Sequence, residues 1–176
     1  QTVGMSYDPI RINGGHIGYG EKDDGQYDEE TERYLSDDVF MLISRDLYET
    51  AGGYDEEFVL QAEQFEWQWR AKRKGFKIMY TPNAKIWHKE SMTIGKSSAL
   101  KLYYDSRNPM IVLLKYLDAS AFKKYFWLHF RKDIIYSSLI YLKNSDLEIF
   151  KKIWAGFFSS LKWGMDNKKF TIKHFI

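Results

Sequence analysis

The sequence predicts an α/β fold class closed by a helical tail, on three observations. Short apolar or alternating runs, VFMLI at 39–43, FKIMY at 76–80 and AKIWH at 84–88, read as strands. A segment at 62–74 between them repeats its apolar residues at helical spacing. From Ser97 onward the pattern is helical throughout, with lysine-rich flanks.

Residues 1–20 hold five glycines and Pro9, a composition of loop and short strand. Residues 21–38, EKDDGQYDEETERYLSDD, are strongly acidic and read as an exposed loop. VFMLI reads as a buried strand. Ser44 is placed to cap the helix RDLYETA, with Asp46 in its first turn and Gly52 and Gly53 at its end. In the helix at 62–74, Ala62, Phe65 and Trp69 are expected to face the core. Glu63, Glu66, Trp67 and Arg70 share another face, and Glu66 and Arg70 can pair at i, i+4. Lys72, Arg73 and Lys74 suit the last turn, and Gly75 stops it. FKIMY and AKIWH then form a hairpin about Thr81-Pro82-Asn83, with Ala84, Ile86 and His88 on one strand face. Three helices follow at about 98–117, 121–142 and 146–163. Pro109 is expected to break or kink the first near Asn108. Phe122, Phe126, Phe130 and Ile134 mark the apolar face of the second; Ile153, Trp154, Phe157, Phe158 and Leu161 mark that of the third.

The chain of 176 residues, 21.0 kDa, suffices for one core, or one core plus an appendage. There are no cysteines, which excludes disulfides and thiolate metal sites. No apolar stretch of ~18 residues, as a transmembrane helix needs, is present. The net charge of +2 hides an asymmetry: residues 1–109 carry 14 Lys+Arg against 19 Asp+Glu, and residues 110–176 carry 12 against 5. These halves are the two expected domains. A basic, aromatic-rich tail suits an anionic membrane or a nucleic acid, or is simply a solvated helical face. Nucleic-acid motifs are absent, as are phosphate-binding glycine loops.

The chemistry centres on carboxylates and one histidine. Asp55, Glu56 and Glu57 precede the second helix, and Glu63 and Glu66 lie on it. A carboxylate on a rigid helix suits a base that takes a proton from an attacking hydroxyl. The same two residues also suit a plain surface role, paired with Arg70 and Lys74. His88 is a metal-ligand type at a strand end, without a second histidine at ligand spacing.

Taken together, GEKDDGQYD at 20–28, DDVFMLISRDLYETAGGYDEEF at 37–58, EQFEWQWRAKRKGFKI at 63–78, YTPNAKIWHKES at 80–91 and YYDSRN at 103–108 resemble the C-terminal half of a family 2 glycosyltransferase. That kind makes bacterial surface polysaccharide, as rhamnosyltransferases do. The resemblance covers roughly residues 10–110; AGFFSSLKWGMDNK at 155–168 resembles the family's closing amphipathic segment more loosely. It implies the C-terminal part of a GT-A fold with a parallel-centred sheet, followed by amphipathic helices. It implies a nucleotide-sugar donor, a polysaccharide or lipid-linked acceptor, and a divalent metal, manganese or magnesium, bound together with the donor half. Glu63 and Gln64 stand at the family's Glu-Asp pair, whose second member is usually the base. Gln64 departs from that pattern, which leaves Glu63 or Glu66 as substitute bases or marks lost activity. His88 stands at the metal-contacting histidine, and Arg107 in the Tyr-Tyr-x-x-Arg-Asn block, near the donor phosphates or in a helix-packing salt bridge. Asp37 and Asp38, where small residues are more usual, are acceptor-binding candidates with Asp55 and Trp67.

The donor half and its DxD motif are not found in this sequence. The expectation is therefore a fragment of a longer enzyme, inactive alone, or a degenerate transferase domain that binds carbohydrate or a partner without chemistry, or a membrane-surface adaptor. The expected location is cytoplasmic, peripheral on the inner face of the plasma membrane. Sheet edges left uncovered would favour a homodimer.

Overall fold

The computed structural model describes residues 2–6, 15–87 and 98–169. It is mostly helical, 54%, with one two-stranded antiparallel sheet. The mixed α and β content expected from the sequence is present. The parallel-centred sheet of a GT-A fold is not found among the described residues. The chain forms two compact units: Gln1–Glu57 with Glu63–Glu90, and Phe58–Ala62 with Ser91–Ile176. The expected boundary at 109/110 falls inside a continuous helix instead.

The first unit contains β1 (Thr31–Arg33), α1 (Arg45–Ala51), α2 (Glu63–Arg73) and β2 (Ile78–Tyr80). β1 and β2 pair antiparallel, Glu32 opposite Met79. So FKIMY finds its partner in the acidic segment that read as a loop, and the expected hairpin is not formed among the described residues: 84–87 pair with no strand there. VFMLI is not a buried strand either. It begins within a turn, and Val39, Phe40, Leu42 and Ile43 are all exposed. A strand needs a neighbour to satisfy its backbone, and the described residues supply none there.

α1 forms as its local chemistry dictates. Ser44 accepts a hydrogen bond from the Leu47 N–H at 3.1 Å, and Gly52, at φ 75°, ends the helix. α2 begins one residue later than expected, because Ala62 adopts φ 69°. Its buried face is also rotated from the expectation: Glu66, Trp67, Gln68 and Ala71 are buried, whereas Phe65 and Trp69 are only partly covered. The polar members of that face are satisfied. The Gln68 amide donates to the Ser36 carbonyl at 2.7 Å and accepts from the Ser36 N–H at 2.8 Å, taking the place of a strand neighbour. With Val3, Met5, Leu35 and Ala51, these residues make the core of the unit.

The second unit is built on α3 (Ala99–Tyr116), α4 (Ala119–His129), a π-helical segment (Phe130–Tyr136), α5 (Ser137–Lys143) and α6 (Leu147–Asp166). α3 runs through Pro109 without the expected break. The helix expected at 121–142 exists as one helical run, α4 to α5, widened in its middle by the π segment. The core lies between α3 and α6, where Met110, Ile111, Leu113, Ile153 and Phe157 are buried. Phe158, expected in the apolar face, is 58% exposed. α6 crosses α3 at Gly156, which lies directly over the Tyr103 carbonyl. Fully buried Asn108 donates to the carbonyls of Leu60 and Gln61, both at 2.7 Å, and so holds the segment at 58–62, where Gln61 stands at φ 63°.

Candidate functional site

The first turn of α2 and the loops before it bring four polar groups together in the first unit. Asp38 offers its backbone N–H to the Gln64 side-chain oxygen at 3.1 Å. Its carboxylate accepts the Tyr54 hydroxyl at 2.7 Å. Tyr54 follows the Gly52-Gly53 pair, and its ring meets Trp67 edge-on, 5.6 Å between centroids. Glu63 opens the helix beside this group, and its Oε2 is buried with no hydrogen-bond partner. A buried carboxylate oxygen normally finds a donor, and none reaches this one among the described residues.

The electrostatics follow from the arrangement. Burial pushes the Glu63 carboxyl above its ordinary range, and the nearby negative charge of Asp38 pushes the same way, against a backbone hydrogen bond that lowers it. Burial raises the Tyr54 phenol too, reinforced by the hydrogen bond to Asp38 and by the charges of Asp38 and Glu63. The Tyr54 phenol therefore keeps its proton and donates it in the hydrogen bond to Asp38.

Other expected site residues are placed elsewhere. Glu66 is fully buried and gripped by Arg70, at 3.0 and 3.2 Å, while the same guanidinium donates to the carbonyls of Ala51 and Gly53. It is a structural ion pair that ties α2 to the end of α1, with no oxygen turned to substrate. Trp67 is 3% exposed and its indole N–H donates to the Gly52 carbonyl at 2.6 Å, so it supports Tyr54 and does not stack on a ligand. Asp37 meets His16 Nδ1 and the Thr2 hydroxyl, both at 3.2 Å. Asp55 closes a turn by accepting the Glu57 N–H at 2.9 Å. Arg107 belongs to the second unit, where it donates to Asn108 at 2.8 Å and Ser159 at 3.3 Å.

His88 lies outside the described residues. Among the described residues no group of three or more histidine, cysteine, aspartate or glutamate side chains is arranged to hold a metal ion. Sequence reasoning singled out Glu63, Gln64 and Asp38 and missed Tyr54. The available signal was an aromatic residue directly after a double glycine. Comparison with protein-family models, with curated proteins and with solved structures gives no match.

Proposed function

We propose that the Asp38–Tyr54–Glu63 group is the acceptor side of a sugar-transfer site. An acceptor hydroxyl attacks the anomeric carbon of a nucleotide-sugar, its proton passes to the Glu63 carboxylate, and the nucleoside diphosphate leaves with the bonding electrons. Asp38, held by Tyr54, receives a hydrogen bond from a neighbouring hydroxyl and fixes the sugar. The observation that carries this reading is the buried, unpartnered Glu63 oxygen, on a helix start, with its pKa raised toward the range where a base works best. The donor nucleotide, the metal and a lipid-linked or polysaccharide acceptor come from the resemblance. So does a cytoplasmic site at the membrane face.

The test is nucleoside diphosphate release from a panel of nucleotide-sugars, using the longer polypeptide that the resemblance implies. Glu63→Gln is expected to lower kcat by about 10²–10⁴, while saccharide binding, read by saturation-transfer NMR, changes little. Undiminished turnover in Glu63→Gln would overturn the assignment.

One observation favours a second reading, a binding module without chemistry. Gln64 stands where the resemblance implies a carboxylate, and its side-chain oxygen is already engaged by the Asp38 N–H. Gln64→Asp separates the two readings: a large gain in release marks a degenerate enzyme, and a loss or no change supports Glu63 as the working base.

A further inference from the structure

We propose that the hairpin of α5 and α6 is a docking surface for an anionic lipid bilayer. Its apolar side chains on either side of the turn at 144–146 are turned outward. Tyr136, Leu139, Ile140, Leu142 and Leu147 are 63, 59, 40, 47 and 53% exposed. Exposed apolar residues scattered singly are normal, but these five fall within twelve consecutive positions. Tyr136, which ends the π segment, shares one face with Lys132 of that segment and with Leu139, Ile140 and Lys143 of α5, at helical spacing. On α6 the outward stripe reads Leu147, Lys151, Phe158, Lys162 and Met165, all exposed and alternating apolar with basic.

This chemistry fits an interface between hydrocarbon and anionic headgroups. Aliphatic and aromatic side chains enter the acyl boundary, and lysines beside them extend their heads to phosphates. The charge is complementary to such a surface. Arg131, Lys132, Lys143, Lys151 and Lys152 are exposed and make no ion pair among the described residues. Of the carboxylates nearby, Asp146 caps α6, Asp133 pairs with His129 and Asp166 pairs with Lys162, leaving Glu148. Among the described residues no helix is long and apolar enough to cross a membrane, so the hairpin lies on the surface. The proposal uses neither the sugar nor the nucleotide chemistry, and its test is independent of them.

The test is flotation with phosphatidylcholine vesicles, with and without phosphatidylglycerol. The chain should float with the anionic vesicles only. Reversing Lys143, Lys151 and Lys152 to glutamate should weaken binding by about a hundredfold or more, taking roughly fivefold per lysine near the surface. Leu139→Glu with Leu142→Glu should abolish flotation while the helical circular dichroism is kept, because both positions are exposed. A second readout does not depend on these variants. The chain has no cysteine, so Leu142→Cys accepts a single environment-sensitive dye, whose emission should shift to the blue on anionic vesicles. Failure of the wild-type chain to float, flotation undiminished in both variants, or an unshifted dye would each overturn lipid docking and leave the face to a protein partner.

Discussion

Gly156→Ala is the sharpest test of the packing. A methyl built on Gly156 would lie 3.0 Å from the Tyr103 carbonyl carbon, closer still to its oxygen, and 3.2 Å from Ser106 Cβ. The obstacle is helix backbone, so no rotamer change relieves it. α6 must retreat from α3 by something near 1 Å, and a gap of that size forfeits about a quarter to a half of each dispersion contact along the seam. Overpacking of this kind costs about 1–3 kcal/mol, and the upper end applies where the neighbour is backbone. Alanine is favoured over glycine in a helix by about 1 kcal/mol, which offsets part of that. A net loss of about 2 kcal/mol remains, and its sign is opposite to that of helix propensity. The control is Ala155→Gly at the exposed neighbouring position, where propensity alone should cost about 1 kcal/mol. Urea unfolding followed by circular dichroism at 222 nm measures both. A Gly156→Ala variant as stable as the wild type, or more so, would refute the close crossing.

Three more outcomes follow from the first and second units. Arg70→Met takes the guanidinium away from buried Glu66 and should destabilise by about 3–5 kcal/mol; the double variant Glu66→Met/Arg70→Met should recover most of that in the same unfolding assay. Glu63 binds its proton more tightly folded than unfolded, so its contribution is complete below the unfolded carboxylate range and is lost as pH rises through the raised folded value. Glu63→Gln should therefore be the more stable protein at pH 7 and lose that advantage in acid, and the Glu63 carboxyl carbon should titrate by NMR above an ordinary glutamate; a midpoint at or below the ordinary value would refute it. Asn108→Ala strips the Leu60 and Gln61 carbonyls of their donor and should cost about 1–3 kcal/mol, seen as a lower urea midpoint.

The elements legible in the sequence were those set by local chemistry. Ser44, Asp46 and Gly52 bound α1 as read, because a cap and a left-handed glycine act within one turn of the chain. The helices α3 and α6 were legible from long apolar periodicity. What escaped depends on partners far away in sequence. β2 pairs with residues nearly fifty positions earlier, and nothing in FKIMY distinguishes that partner from AKIWH. VFMLI reads as core by composition, yet burial requires a neighbouring strand. The face of α2 was misplaced because hydrophobic periodicity counts Glu66 and Gln68 as surface, whereas Arg70 and Ser36 satisfy them inside. In the site, Glu63 and Gln64 were legible as helix-start residues. Tyr54 was not, since its hydroxyl reaches Asp38 only through the turn that Gly52 and Gly53 make.

The π segment at 130–136 bears on how this chain tolerates insertions and deletions. An α-helix turns by about 100° per residue, so one added residue would ordinarily swing everything beyond it a quarter-turn round the axis. A π turn absorbs the extra residue locally. Phe122, Ile134 and Ser138 thus remain on one buried seam across a run that would otherwise have rotated out of register. Deleting a residue there would close the widening and carry Tyr136, Leu139 and Ile140 around the helix together. The outward face of α5 is in this sense indexed by length: a single codon, with no change in hydrophobicity or charge pattern, would decide which side chains meet solvent and which meet α6.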